Sequence, residues 1–272
     1  MSTYIENKPK VTTRRLLEMK QQGEKIACLT SYDFTLARLV DQAGVDFILV
    51  GDSAANVMAG YTTTLPITLD EMITYARGVV RGVTRAMVVV DMPFGSYQQS
   101  AAQAVASAVR IMKETGAEAV KLEGGAEVAP AIKAIIEAGI PVVGHLGLTP
   151  QSVNVFGGYG VRAKSDAEAQ KFLSDCQLLQ NLGCCAIVFE KIPAALATKA
   201  TKQLAVPTIG IGAGSGCDGQ ILVLQDMLGM NEGFKPKFLR HYGDFGAQIT
   251  AAVNHYVTDV KAVDFPNENE QY

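Results

Sequence analysis

Ala86-Met87-Val88-Val89-Val90-Asp91 is a run of five apolar residues that ends in an acid. No polar residue alternates with the apolar ones, so both faces of this strand are covered, as in a parallel sheet packed under helices. The same figure recurs along the chain. Phe47-Ile48-Leu49-Val50-Gly51 runs into Asp52-Ser53, and Ala119-Val120 leads to Lys121 and then Glu123. Pro141-Val142-Val143-Gly144 ends at His145, and Ala186-Ile187-Val188-Phe189 ends at Glu190. Pro207-Thr208-Ile209 opens the glycine-rich Gly210-Ile211-Gly212-Ala213-Gly214. Parallel α/β folds gather ligands and catalytic groups at the C-terminal ends of their strands. The runs therefore predict the fold and the location of its chemistry together.

Working outward, strand-like and helical patterns alternate. Strands are predicted at Ile26–Thr30, Phe47–Val50, Ala86–Val90, Ala119–Leu122, Pro141–Gly144, Ala186–Phe189, Pro207–Ile211 and Gln220–Leu224. Between them the 3.6-residue period predicts helices over Phe34–Ala43, Ser100–Thr115, Ala126–Ala138 and Ala194–Leu204. Two more helices start at the capping boxes Thr68-Leu69-Asp70-Glu71 and Ser165-Asp166-Ala167-Glu168. Eight such units fit one closed (β/α)8 TIM barrel spanning residues 1–272 better than an open sheet. A helix over Val11–Gln22 precedes the first strand and is expected to close the barrel bottom. The connections Ser53–Pro66 and Leu146–Lys164 are long and rich in Gly, Thr, Asn and Ser, the length and composition of binding loops. The polar tail after Thr258 is expected to be mobile or to pack on a neighbouring subunit.

Composition excludes several function classes. With 272 residues, 48% of them hydrophobic, the chain supports a large core and is not disordered. A net charge of −3 gives no electrostatic footprint for nucleic acid or an anionic membrane. No apolar run approaches a membrane span, and the polar Met1–Lys10 lacks the apolar core of a secretory signal. Cys28, Cys176, Cys184, Cys185 and Cys217 are odd in number and form no C-x-x-C, which reads as reduced thiols in a cytoplasmic protein.

Asp52, Asp91 and Glu123 follow neighbouring strands. Each alone reads first as a cap of the following loop or helix. Three converging carboxylates repel one another unless a cation sits between them, and an all-oxygen set suits Mg²⁺. Lys121 stands two residues before Glu123 and so faces the same way. Facing a barrel interior, it needs an anionic partner, either Glu123 itself or a substrate carboxylate. Glu190 follows four apolar residues, a setting that favours a general base, with a salt bridge to Lys191 as the alternative. His145 reads equally as a core or a catalytic histidine, while His241 and His255 read as structural. Gly214-Ser215-Gly216-Cys217-Asp218-Gly219 matches G-x-G-x-x-G, but it comes late and precedes a strand, against a dinucleotide site. Its backbone N–H groups remain an anion-binding option.

Longer motifs carry a resemblance. They are Val50-Gly51-Asp52-Ser53, Thr64-Leu65-Pro66-Ile67-Thr68, Asp91-Met92-Pro93-Phe94-Gly95-Ser96-Tyr97 and Val120-Lys121-Leu122-Glu123-Gly124. After them come His145-Leu146-Gly147-Leu148-Thr149-Pro150-Gln151-Ser152-Val153, Phe156-Gly157-Gly158-Tyr159 and Asp218-Gly219-Gln220-Ile221-Leu222-Val223. In this order, over nearly the whole chain, they resemble the ketopantoate hydroxymethyltransferase family. The resemblance implies a (β/α)8 barrel, usually a homodecamer, that moves a one-carbon unit from 5,10-methylenetetrahydrofolate to 3-methyl-2-oxobutanoate in pantothenate biosynthesis. It implies Asp52, Asp91 and Glu123 at a Mg²⁺ site, with Asp52 and Asp91 also contacting the substrate. It implies Ser53 and Lys121 on the substrate and Glu190 as base. Tyr61, Gly160 and the C-terminal Phe265–Tyr272 depart from the family pattern, in loops and tail. The alternatives are a Mg²⁺-dependent 2-oxo acid lyase or mutase of the phosphoenolpyruvate mutase/isocitrate lyase type, which lacks support from a catalytic cysteine loop, and a non-catalytic metabolite-binding barrel.

Overall fold

A computed structural model describes residues 9–231 and 233–272; residues 1–8 of the polar N-terminal stretch lie outside the described residues. Eight parallel strands close into a barrel in sequential order, with β8 pairing back to β1. They are β1 (Ile26–Thr30), β2 (Phe47–Val50), β3 (Met87–Asp91), β4 (Ala119–Glu123), β5 (Val142–Gly147), β6 (Ala186–Glu190), β7 (Thr208–Ile211) and β8 (Gly219–Leu222). The helices, in chain order, begin with α1 (Thr13–Gln22), α2 (Phe34–Gln42), α3 (Ala54–Val57), α4 (Leu69–Gly82), α5 (Ala101–Thr115) and α6 (Ala129–Glu137). They continue with α7 (Val153–Phe156), α8 (Asp166–Leu182), α9 (Ala194–Gln203), α10 (Leu224–Met227) and α11 (Phe245–Ala262). The barrel unit ends at Leu222, and Val223–Tyr272 form a second compact unit.

The two-residue period of the strands decides what the barrel holds. Phe47, Leu49, Met87, Val89, Ala119, Val143, Ala186, Val188 and Ile209 form one interior cluster. Continuing each inward set by two residues reaches Asp91, then Lys121 and Glu123, then His145, then Glu190. The lower layers are thus apolar and the top layer is ionisable. Val11 and the α1 residues Leu16 and Met19 belong to the same cluster, so this segment plugs the bottom. Leu16 and Met19 are completely buried, each worth about 2 kcal/mol of apolar burial. The outward residues Val88, Val90, Val120 and Leu122 are buried as well, which accounts for the unbroken apolar runs.

Several boundaries differ from the sequence expectation for one reason. β3, β4 and β6 each extend to include their terminal acid, and β5 runs on through His145 to Gly147. A polar residue reads as a strand end, yet here it points into the mouth while the backbone ladder continues. Both long connections carry short helices: α3 in the first, and a 3₁₀ turn at Pro150–Ser152 followed by α7 in the second. The Thr68 capping box is complete, with Thr68 Oγ1 accepting from the Glu71 N–H at 3.2 Å and Glu71 accepting from the Thr68 N–H at 2.7 Å. The second box is half-formed. Ser165 Oγ accepts the Glu168 N–H at 3.3 Å, but the Glu168 carboxylate turns to Arg162.

Asp41 of α2 ties the entry to β3. Its carboxylate accepts the N–H groups of Ala86 at 2.7 Å and Thr84 at 2.8 Å, and that of Arg85 at 3.1 Å. Burial pushes this carboxyl up, but these bonds and the Thr84 hydroxyl win and hold it below the ordinary range. A depressed carboxyl stabilises the fold above its unfolded pKa, and that contribution is lost as pH falls through the folded value. Asp41→Ala is expected to cost about 3 kcal/mol, because the buried Ala86 N–H and the partly buried Thr84 and Arg85 N–H groups lose their acceptor. Urea unfolding at neutral pH checks this, and the deficit should shrink toward strongly acid pH.

In the second unit, Asp244 caps α11 by accepting the Ala247 N–H at 3.4 Å. No α11 residue is buried, and Phe245, Ile249, Val253, Tyr256, Val257 and Val260 form an exposed apolar series. The Phe265 ring stands edge-on to Tyr256, centroids 5.7 Å apart. Among the described residues no helix is long and apolar enough to cross a membrane.

Candidate active site

The strand register builds the site. Asp91 of β3 lies beside Lys121 of β4, Glu123 beside His145 of β5, and Gly147 beside Glu190 of β6. Neighbouring inward residues at one level become neighbours in the mouth. Lys121 Nζ stands 3.0 Å from Asp91 Oδ1 and 3.1 Å from His145 Nδ1. Burial alone would strip the ammonium, but Asp91, Glu123 and Asp52 around it outweigh this and push Lys121 above the ordinary lysine range. The lysine's anionic partner is Asp91, across the strands, rather than Glu123 alone.

Asp52 follows β2 and donates its backbone N–H to Asp91 Oδ2 at 2.9 Å. Burial, then the charges of Glu123 and Asp91, push its carboxyl up to about 8, against the pull of Lys121 and Gln151. Burial raises Asp91 too, although Lys121 opposes it. Ser53 Oγ shares a 2.7 Å hydrogen bond with the Tyr32 hydroxyl. A side chain on Gly51 would meet Ser53 Oγ at 2.8 Å and Asp91 Oδ2 at 3.5 Å, so the serine lies at the Asp91 end of the mouth.

His145 lies between two glutamates. Its Nδ1 is 3.5 Å from Glu123 Oε1, and its Nε2 is 3.4 Å from Glu190 Oε2. Burial and Lys121 push the imidazole down, but the two carboxylates win and hold it at about 9. Glu123 is raised by burial and lowered more by His145, Lys121 and the Gln151 N–H, and ends below its ordinary value. Glu190 is 17% exposed along its side chain, wetter than the four apolar residues before it suggest. Its alternative partner does not claim it, because Lys191 donates to the Tyr159 carbonyl. Gly147 has φ +98, and a Cβ there would lie 2.3 Å from the Glu190 carbonyl oxygen, so glycine permits the close turn beside Glu190.

Two residues without an assigned role in the sequence reading organise these carboxylates. Gln151 donates its backbone N–H to Glu123 Oε2 and its side-chain amide to Asp52 Oδ2, both at 2.9 Å. Its Oε1 accepts the Tyr97 hydroxyl at 2.7 Å. Both residues lie within the motifs that carry the family resemblance, which was the available signal. Gln151→Ala leaves the buried Asp52 carboxylate without its amide donor, and the Tyr97 hydroxyl loses its shortest hydrogen bond while keeping those to the Glu123 backbone. It is expected to cost about 2 kcal/mol in thermal unfolding. It should also raise the Asp52 pKa further, readable by carboxyl-carbon NMR.

Among the described residues, no three His, Cys, Asp or Glu side chains stand together as a ready-made metal cluster. Asp52 and Asp91 adjoin through the Asp52 N–H, while Glu123 turns toward His145. Asp91 Oδ1 and Glu123 Oε1 are buried without an aligned hydrogen bond. The glycine-rich stretch after β7 holds no nucleotide-type helix. Gly219 begins β8, which excludes a dinucleotide fingerprint.

A closed parallel barrel with a lysine, carboxylates and a histidine at its C-terminal mouth defines a (β/α)8 enzyme. The profile of one family, ketopantoate hydroxymethyltransferase, matches residues 10–268. A 3-methyl-2-oxobutanoate hydroxymethyltransferase of Bacteroides fragilis is 63% identical over the full length of both chains. One from Parabacteroides distasonis is 60% identical over 98% of each. The chain belongs to the ketopantoate hydroxymethyltransferase family and is an enzyme of hydroxymethyl transfer. Solved structures with this fold include a phosphonopyruvate hydrolase complexed with oxalate and Mg²⁺ (TM-score 0.59, 13% identity, 95% of this chain and 93% of that one). A 2,3-dimethylmalate lyase of the phosphoenolpyruvate mutase/isocitrate lyase superfamily has TM-score 0.58 and 16% identity, covering 95% and 90%. At such identities the likeness is one of fold alone.

Proposed function

We propose that this enzyme transfers a hydroxymethyl group from 5,10-methylenetetrahydrofolate to 3-methyl-2-oxobutanoate, giving 2-dehydropantoate for pantothenate biosynthesis. The observation that carries the reading is the buried Lys121–Asp91 pair beside Asp52, with Glu190 reached through His145. It offers an anion anchor, a carboxylate pair and a base within one mouth. Lys121 and Ser53 hold the carboxylate of the 2-oxo acid. Glu190 takes the proton as the C3–H bond breaks, and its neighbour His145 fixes its orientation. C3 then bonds to the donor's methylene carbon. That carbon's bonds to the folate nitrogens break, water supplies the hydroxyl, and tetrahydrofolate leaves.

Asp52 and Asp91 would hold a divalent cation such as Mg²⁺, with Glu123 as a third oxygen donor. The donor set fits: it is all oxygen, and burial together with the like charges of Glu123 and Asp91 pushes Asp52 up to about 8, a cost that a cation would relieve. Mg²⁺ commonly uses one or two carboxylates and completes its shell with water and substrate. When bound, it polarises the 2-oxo group and stabilises the enolate charge, without which a carboxylate cannot remove so weakly acidic a proton.

The test is turnover with both substrates, with Mg²⁺ added and then removed by a chelator. Product is expected only with both substrates, lost on chelation and restored by Mg²⁺. Chelator-resistant turnover would remove the metal from the reading, and no turnover at all would remove the reaction. The exposed apolar series of α11 supports a homo-oligomer, a decamer by the family resemblance. The free cysteines support a cytoplasmic enzyme.

A further inference from the structure

Ser53 is the N-cap residue of α3, but its side chain makes no capping hydrogen bond. A serine in that place ordinarily spends its oxygen on the N–H groups of the first helical turn. Here the hydroxyl turns instead to that of Tyr32, 2.7 Å away. Tyr32 is held firmly enough to impose this choice. It is 1% exposed, and its ring stands edge-on to Tyr75 of α4, centroids 6.5 Å apart. Its backbone is pinned on both sides. The Ser31 N–H donates to the Leu49 carbonyl of β2 at 3.0 Å, and Asp33 caps α2 by accepting the Leu36 N–H at 2.9 Å.

Thr30, the last residue of β1, hydrogen-bonds the same phenol. Three hydroxyls thus stand in a row: Thr30 and Tyr32 are buried, and Ser53 at the end is half-buried. The row has a preferred direction. A hydroxyl can accept one hydrogen bond while it donates another. An anion at the Ser53 end takes the Ser53 proton. Ser53 Oγ is then the acceptor for Tyr32, and the Tyr32 oxygen the acceptor for Thr30. Hydrogen bonds in such a chain polarise one another, so the two buried hydroxyls strengthen the donor that meets the anion.

We propose that Tyr32 is the positioning residue for Ser53. It draws the serine hydroxyl away from the helix cap and aims its proton at the carboxylate of the 2-oxo acid, with Thr30 supporting it from behind. This deepens the proposed function and rests on it, because it takes Ser53 as a substrate contact.

The test is a double-mutant cycle on the full-length enzyme. It is read as KM and kcat for exchange of the C3 proton of 3-methyl-2-oxobutanoate in D₂O. Tyr32→Phe keeps the ring and removes the hydroxyl. It is expected to raise KM about tenfold with kcat within about twofold of wild type, the split left by a contact made equally in ground and transition states. Ser53→Ala is expected to raise KM by a similar factor. Adding Tyr32→Phe to Ser53→Ala should then change KM by less than about twofold, because the phenol has no hydroxyl left to aim. Thr30→Val keeps the branched shape and removes the first hydroxyl. It should raise KM about threefold and be silent in the Ser53→Ala background. Thermal unfolding checks that each variant is folded, and if Tyr32→Phe does not fold, the Thr30→Val cycle decides by the same criterion. Additive effects in the cycle, or an unchanged KM in a folded Tyr32→Phe, would overturn the inference alone. A wild-type enzyme that exchanges no C3 proton, with or without methylenetetrahydrofolate, would overturn the functional reading and this inference with it.

Discussion

Glu190→Gln is expected to lower kcat by about 10²–10⁴, the usual contribution of a positioned general base, while leaving KM for the 2-oxo acid nearly unchanged. The amide keeps the size of the carboxylate but cannot take up the C3 proton. The residues proposed to hold the acid, Lys121 and Ser53, lie at the Asp91 end of the mouth, and Glu190 touches neither. Its contact within the site is His145 Nε2 at 3.4 Å. Loss of that carboxylate removes one of the two groups that hold the imidazole at about 9, so the His145 pKa is expected to fall in the variant. Two readouts should therefore move together: C3-proton exchange in D₂O drops with turnover, and the histidine titration measured by NMR shifts down. Wild-type exchange in Glu190→Gln would place the base elsewhere. Lost turnover with intact exchange would move Glu190 to the later carbon–carbon step.

The fold was legible because parallel strands covered on both faces leave unbroken apolar runs, and all eight predicted strands form. Less legible was where each strand stops. Asp91, Glu123 and Glu190 look like terminators in a linear reading, but in a barrel they are the next inward position of a continuing ladder. The period of two carried that information: Met87, Val89 and Asp91 share a face, as do Ala119, Lys121 and Glu123. The pairing of Lys121 with Asp91 needed the register between β3 and β4, which a single chain pattern does not encode. His145 is ambiguous in the sequence for the same reason, since its importance comes from Glu123 on one side and Glu190 on the other. Gln151 and Tyr32 were invisible to any chemical motif, because amides and phenols acquire a role here only through the groups they orient. The half-formed second capping box shows the same limit, because Arg162, not the helix backbone, takes the Glu168 carboxylate.

Lys121→Met is expected to have the second large effect, on binding and on stability at once. Methionine approximates the length of the lysine stem and keeps the barrel filled, so the loss is of charge rather than volume. The ammonium is 4% exposed and faces Asp91, itself 3% exposed. Removing one partner of such a pair costs about 3–5 kcal/mol, because the remaining charge stays buried. Asp91 can escape part of that cost by taking up a proton, which gives the effect a sign. Without Lys121 the folded pKa values of Asp91 and Asp52 rise further above their unfolded values. The folded state then binds more protons than the unfolded one, so its stability falls as pH rises through that interval. The deficit of Lys121→Met relative to wild type should accordingly be small near pH 5 and grow toward pH 8. On the functional side, a substrate carboxylate loses its buried cation, and KM for 3-methyl-2-oxobutanoate should rise about a hundredfold, within the range for truncating a buried charge pair. Arginine is not expected to rescue it, because a planar guanidinium needs more room than a site this closed provides. Denaturant unfolding across pH, set beside the KM of the same variant, separates the two roles. A pH-dependent stability deficit with unchanged KM would make Lys121 a partner of Asp91 only, and the substrate's carboxylate would then need another anchor.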